Sequence, residues 1–443
     1  MDTLENTVSR KIILRLIIPI MVLTVLNSLD RVNISFAALQ MNDDLGLNPE
    51  LYGYAVSTFF ISYLLFQFPS AKALRMLGAR WWIFSVVLIW GISATCMALV
   101  QNIWHLFFLR FCLGIAEAGF APGVVFLCSC WVPKKYRARA IATTMLAIPI
   151  SVIIGGPLSG WLLSMDPPFG LPGWRWMFFI EGLPAIVLAF VALKVFAHPP
   201  QTAPWLDSTE KQWLENELAG EQTVKQETGA TSFRDVLTDA RILCSAGVWF
   251  ALIFGSYGIM FWLPLVMQEM TGLGEFQIGL LSALPWLGIG TGMILVSRHS
   301  DKTQERFWHV GLAAVGGGLC LLGSAYSPSN GLSLVLLFLA GVGLGGAQGT
   351  FWTIPTAIMA QAVAANGVVL INLIGNISSL INSSVIGYVR ETTGSYQLTI
   401  VLLAVIIASA AVLVAIIARL SGRELPQSTP AAPAVASAPE SAV

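Results

Sequence analysis

Leu29-Asp30-Arg31-Val32-Asn33-Ile34 sets an acid beside a base inside an otherwise apolar run, from about Ile12 to Leu39. Such a run is long enough to cross a bilayer, whose hydrocarbon core takes about 20 apolar residues. An ionised side chain at the centre of a crossing costs about 2.5–3.5 kcal/mol on insertion scales. Charges kept there point to a polar cavity and to function. Arg110 and Glu117 repeat the pattern in another apolar run.

The rest of the chain fits a membrane protein. It has 443 residues, 56% hydrophobic and only 11% charged, with a mean hydropathy of +0.74. Soluble domains carry about 25% charged residues. The first apolar run lacks a small-residue cleavage site and reads as a retained span. The six cysteines lie in or at the ends of apolar runs, without metal-ligand or disulfide-framework spacing, so no metal is expected. Scanning for spans gives twelve: 13–38, 51–70, 80–100, 103–129, 139–163, 177–197, 242–267, 277–297, 308–326, 332–359, 366–389 and 396–419. The predicted fold is all-α and integral to the membrane, twelve transmembrane helices in two six-helix halves. Spans two and eleven are polar for lipid-facing helices, which suggests that they line an interior.

Lys and Arg collect in one set of loops, including Arg10, Lys11, Lys72, Arg75, Arg80, Lys135, Arg137, Lys302, Arg306 and Arg419. The opposite loops carry Asp43, Asp44, Glu50, Glu269 and Glu275, with little basic beyond Arg175 and Arg390. The positive-inside rule then puts both termini in the cytoplasm. The organisation expected is an N-terminal half over 1–197, a cytoplasmic linker over 198–241, a C-terminal half over 242–420 and a disordered tail over 421–443. Within the linker a short amphipathic helix is expected from Asp207 to Leu218, with a capping box at Thr209 and Gln212 and a stop at Gly220. Gly78-Ala79-Arg80 after span two and Ser300-Asp301-Lys302 after span eight are matched basic loops, the mark of a duplicated transporter.

These stretches resemble the major facilitator superfamily, and within it the anion:cation symporter family, whose members carry tartrate, sugar acids and aromatic acids. The resemblance rests on Leu29 to Ile34, on Gly78-Ala79-Arg80-Trp81-Trp82-Ile83, and on Leu109-Arg110 through Gly114-Ile115-Ala116-Glu117-Ala118-Gly119-Phe120. Trp174 to Phe178, Ile180-Glu181-Gly182-Leu183-Pro184 and Ser300-Asp301-Lys302 extend it over nearly the whole chain. One departure stands out: the loop position where the superfamily usually carries an Asp is Arg75 here, whereas the second copy keeps Asp301. The expected cytoplasmic gating residues are Arg80, Asp301 and Arg306.

Asp30 and Arg110 fall at similar depth, about eight and seven residues from the outer ends of antiparallel spans, so they are expected to pair in one state of the cycle. A static structural salt bridge is the alternative. Glu117 follows Arg110 by seven residues on the same helical face, with no other evident cationic neighbour. A carboxyl in hydrocarbon is costly to ionise and can take up a proton, and in the resembling family the acids at Asp30 and Glu117 are the proton-coupling candidates. Arg31 offers a planar fork suited to a carboxylate, unless it merely faces the outer vestibule. By resemblance Tyr63, Trp352 and Asn372 fall at substrate-contact positions, with helix packing the alternative for Trp352. Asn376 shares a face with Asn372, four residues away. Arg175 reads as a loop cap.

The function expected is secondary active import of a small organic anion by proton symport, working as a monomer in a bacterial inner membrane. The alternative is an anion exchanger or efflux antiporter. No phosphate-cradling loop and no nucleic-acid signature are present, so neither a cofactor nor a nucleic-acid partner is expected; the energy source is a proton gradient, or sodium in its place. The four histidines lie at span ends or in loops without ligand spacing, which argues against a membrane enzyme.

Overall fold

The computed structural model describes residues 2–422, apart from 134, 138, 139, 141–143, 145, 146, 166–169, 197, 198, 223–232 and 360. The predicted tail after residue 422 lies outside them. Among the described residues, eleven helices are long and apolar enough to cross a membrane. They are Leu4–Leu45, Pro49–Leu99, Ile103–Trp131, Ala147–Ser164, Gly173–Val195, Ala240–Thr271, Glu275–Thr303, Phe307–Ala325, Asn330–Ile358, Asn366–Thr393 and Tyr396–Ser421. The second of these, at 51 residues, holds two crossings. At 1.5 Å per residue it would measure about 77 Å if straight, far beyond a hydrocarbon core of about 30 Å. It turns back at Gly78, whose φ of 73° and ψ of 160° break the helix. Only glycine adopts that backbone freely. Twelve crossings result, spans one to twelve in chain order, as the sequence predicts.

Spans two and eleven are polar because they face each other across the two halves. Ser57 of span two donates to the Leu380 carbonyl at 3.0 Å and lies 2.7 Å from the Ser384 hydroxyl. Nearby, Tyr52 donates to the Phe261 carbonyl of span seven at 2.9 Å. Spans five and eight come together at Gly156 and Gly279. A Cβ built on Gly279 would stand 2.2 Å from the Gly156 carbonyl oxygen, so neither position accepts a side chain without moving the helices. Gln40 donates to Leu163 O at 3.0 Å and to Glu275 at 3.3 Å at the same end. All these contacts lie at the face whose loops are poor in Lys and Arg.

The opposite face carries the N-terminal helix and the linker helix. Asp2–Ile12 is amphipathic and buries Val8 and Ile12. Lys11 reaches Glu210 across 199 residues of sequence, at 2.7 Å. The linker helix spans Ser208–Gln222, longer than predicted, and runs through Gly220. Its capping box differs from the predicted one. The Asp207 amide donates to Glu210 Oε2 at 3.0 Å and the Glu210 amide to Asp207 Oδ1 at 2.8 Å. The cap falls to Asp207 and Glu210, two residues ahead of the Thr209–Gln212 pair. Arg175 caps as expected, donating to the Ala98 carbonyl at 3.0 Å at the end of span three.

In a cysteine-free background, Asp43→Cys should react with an impermeant maleimide in intact cells, and Glu217→Cys only after permeabilisation. Labelling of residue 217 in intact cells would invert the orientation read from the loop charges.

Candidate functional site

The chain's buried charge is concentrated in the first six spans. Among the described residues, Asp30, Arg110, Glu117 and Glu181 are the charged side chains buried within spans, and Arg31 is mostly buried beside them, its side chain 18% exposed. Adjacent residues on a helix point about 100° apart, so Asp30 and Arg31 face different neighbours.

Arg31 points towards span four. Its Nη2 donates to Glu117 Oε2 at 2.6 Å and its Nε to the same oxygen at 3.0 Å. Its Nη1 lies 3.4 Å from the Tyr257 hydroxyl of span seven, so the guanidinium reaches into the second half. Its Cζ stands 5.3 Å from the Tyr63 ring centre and 5.2 Å from that of Phe59, within cation–π range. The pair thus carries four elements: spans one and four supply the ions, span two the rings and span seven the phenol. Glu117 is fully buried, and its second oxygen, Oε1, has no partner although the Asn27 side chain, with an unpaired Nδ2, lies beside it.

Asp30 turns the other way. Trp90 Nε1 of span three donates to its Oδ2 at 2.5 Å, and Asn33 Nδ2 lies 3.4 Å from its Oδ1. The expected pairing with Arg110 is therefore not formed. Equal depth placed the two side chains in one layer, but depth leaves the direction around the helix free, and Asp30 faces spans three and six. Nor does Glu117 lack a second cation, as its sequence neighbours suggested: Arg31 is its partner. Arg110 is wholly buried, its Cζ 5.0 Å from the Phe59 ring centre, and its Nε and Nη2 have no hydrogen-bond acceptor among the described residues. Phe59 thus stands against both guanidinium groups.

The second half contributes no buried charge among the described residues. Trp352 meets Trp249 at 5.0 Å between ring centres, and Trp249 stacks on Phe351 at 5.1 Å. Span eleven passes the Trp249 ring at Gly375, between Asn372 and Asn376. Asn372 is exposed and bonds its own helix at Val368 O, 3.1 Å away. Gln348 donates to Ser256 at 2.6 Å. Tyr63 stacks on Phe59 at 5.9 Å in the charged cluster. Tyr63, Arg31, Arg110 and Glu117 are thus brought together, whereas Trp352 lies apart from them against Trp249, and Asn372 and Asn376 flank Gly375, where span eleven passes that ring. Trp90, Tyr257, Trp249 and Glu181 have no counterpart in the sequence-derived set of site residues. An acid in the apolar span Gly173–Val195 is a signal of the same kind as Asp30 and could have found Glu181.

The gating trio is not one cluster. Arg306 pairs with Asp301 at 2.7 Å and donates to Ser300 Oγ at 2.9 Å, all within one loop. Arg80 instead donates to the Leu193 carbonyl of span six at 3.1 Å and stacks over Trp81.

Comparison with known proteins places this geometry in context. The sequence profile of the Major Facilitator Superfamily matches residues 20–383. A protein of Agrobacterium vitis named "Putative tartrate transporter" is 40% identical over 393 residues, covering 89% of this chain and 90% of that protein. A "Quinolone resistance transporter" of Acinetobacter baumannii is 34% identical, covering 90% and 93%. Among solved structures, a bacterial homologue of the human lysosomal transporter Spinster superposes with a TM-score of 0.76 at 17% identity, covering 93% of this chain and 98% of that one.

A buried ion pair loses more when one partner is removed than when both are replaced, because the survivor is left charged and unpaired. Glu117→Leu should therefore lower the melting temperature of the detergent-solubilised protein more than the double variant Arg31→Met/Glu117→Leu. An equal or larger drop in the double variant would show that the two side chains do not act as a pair.

Proposed function

The chain belongs to the Major Facilitator Superfamily, and from that premise we propose that it imports a small organic anion together with protons, by alternating access. It is a multi-pass membrane transport protein rather than an enzyme. The observation that carries the finer proposal is the Arg31–Glu117 pair, in contact with Tyr63 and Tyr257 between the two halves. A substrate carboxylate is the group that can replace Glu117 on the Arg31 fork. Glu117 released from its cation in a dry site is costly as an anion and takes up a proton. Anion and proton thus bind as a couple, and one monoanion with one proton leaves the charge of the site unchanged. Arg110, whose Nε and Nη2 have no acceptor among the described residues, supplies a second positive group for a dicarboxylate or a hydroxy acid. The name of the Agrobacterium relative supports a tartrate-like hydroxy acid as the cargo.

The contacts of spans two, five, seven, eight and eleven close the face that is poor in Lys and Arg. With both termini cytoplasmic in a bacterial inner membrane, that closed face is periplasmic, and the protein is in its inward-facing half of the cycle. It works as a monomer, since each half supplies its own contacts to the site. On this basis Asp30 is a further coupling acid, Trp352, Asn372 and Asn376 are substrate contacts in the second half, and Arg80, Asp301 and Arg306 act at the cytoplasmic gate.

A second reading, exchange or efflux in the same fold, draws on the name of the Acinetobacter relative. Accumulation in inverted vesicles on acidifying the lumen would favour it over import.

Arg31→Lys loses the two-pronged contact to a carboxylate. Removing one hydrogen bond to a charged group costs about 1.5–3 kcal/mol, so uptake affinity should fall about 10- to 100-fold. Unchanged affinity would remove Arg31 from substrate recognition. Glu117→Gln mimics the protonated acid. In proteoliposomes it should keep counterflow of labelled tartrate or a sugar acid at equal pH but lose uphill accumulation under an imposed proton gradient. Accumulation equal to the parent's would transfer the coupling role to Asp30 or to a sodium site.

A further inference from the structure

The second half encloses a cavity that lies away from the charged cluster. Its volume is about 190 Å³, and its walls come chiefly from spans seven, nine, ten and twelve. Span seven lends it one long stripe, from Gly258 to Thr271. Thirteen residues of helix separate those two, a rise of about 20 Å, so the volume is drawn out into a slot. An apolar cavity of about 150 Å³ is enough to take up a benzene ring. Here a similar bulk has to be arranged lengthwise. Tyr257, which reaches Arg31, is not part of the wall, so the slot and the charged cluster use different sides of span seven.

The slot is graded from end to end. Its deep part is aliphatic, with Leu337 and Leu403 seven residues inside spans ten and twelve. Leu403 packs on Gly258 so closely that a Cβ built there would stand 2.3 Å from its Cδ2, which closes the bottom. The polar lining residues all sit within three residues of the ends of spans seven, nine, ten and twelve that belong to the face poor in Lys and Arg. Asn330 is exposed and Met270 is 44% exposed, so the slot opens at that end. Among the described residues, no charged side chain lines it.

The rim has a definite hydrogen-bonding sense. The hydroxyls of Thr271, Ser324, Ser327 and Ser333 each donate their one proton to a backbone carbonyl, at 2.6–3.0 Å. What they keep for a visitor is lone pairs, which suit O–H donors. Two further residues of the wall, Trp262 and Thr399, are buried and each keeps a polar atom, Nε1 and Oγ1, that no described residue satisfies. Trp262 also meets Tyr52 of span two edge-on at 5.1 Å, so the slot lies directly behind a contact between the two halves.

We propose that this slot binds a neutral single-chain amphiphile: a straight alkyl chain lies along span seven, and a hydroxyl-bearing head of the glycerol or sugar kind sits at the rim. The length and narrowness select a chain over a broad ring system, and the volume admits one chain. The apolar depth gains from burying it. A carboxylate or phosphate head would be left without a cation among these wall residues, which is costly, whereas alcohol groups meet the free lone pairs of the rim. The anion-transport reading is not needed for this assignment.

Photo-crosslinking of the reconstituted full-length protein tests it, with a monoalkyl glycerol that carries a diazirine in its chain. Peptide mapping should find the label between Ile259 and Met270 of span seven and at Leu337 or Leu403. That labelling should saturate and be displaced by unlabelled alkyl glycerol, and far less by an alkyl carboxylate of equal chain length. Leu337→Trp fills the slot and should lose it, while labelling of the exposed Leu312 and Leu319 of span nine stays. Ser333→Phe, at the mouth, should give the same loss and serves if Leu337→Trp does not fold. Label confined to exposed residues, label that does not saturate, or label that persists in a folded slot-filling variant would show a packing void only and overturn the assignment. Equal displacement by the carboxylate would overturn the neutral head.

Discussion

Everything at the centre of this protein follows from the cost of holding charge in hydrocarbon. Arg31 and Glu117 meet at 2.6 Å in a layer where either alone would be expensive. To make that contact, span one must lie against span four, with the rings of span two beside it and Tyr257 of span seven within reach. The ion pair is therefore also a packing instruction that sets which faces of four helices look inward. Both hydrogen bonds fall on one carboxylate oxygen, so the pair holds without exhausting either group.

The two halves divide the work unequally. The first carries the buried charges, each with its own set of neutral donors or aromatic faces: Trp90 and Asn33 on Asp30, Ser159 on Glu181, Phe59 on both arginines. The second offers aromatic surface around Trp249 and neutral polar groups such as Gln348 and Asn372. The face poor in Lys and Arg joins the two halves through serine hydroxyls, carbonyls and the glycine contact of spans five and eight.

At the opposite face the short helices bind the first half to the linker. Lys11 reaches Glu210, Glu5 takes hydrogen bonds from Lys135 and Tyr136, and Trp131 stacks on Trp205 at 5.0 Å. The linker helix is thus fastened to the ends of spans one and four. Movement of either span relative to the second half has to be accommodated in the linker or in these contacts.

By itself the sequence determined the class of the protein, the number of crossings, and the short list of residues that could not be in a membrane without a reason. Length and apolarity count spans because the bilayer has a fixed thickness, and a charged side chain in such a span stands out against its background. The polarity of spans two and eleven likewise announced an internal interface. The partners were decided only by the tertiary structure. Asp30 was matched to Arg110 because rise per residue gives depth, but the angle around each helix axis depends on how the helices pack, and packing gave Arg31 to Glu117 and Asp30 to Trp90. Glu181 was visible as an acid in an apolar span, yet its setting between Ser159 and Asn33 depends on spans one and five converging on span six. Pairing is a property of three-dimensional neighbours contributed by distant segments, and no local pattern along one chain encodes it.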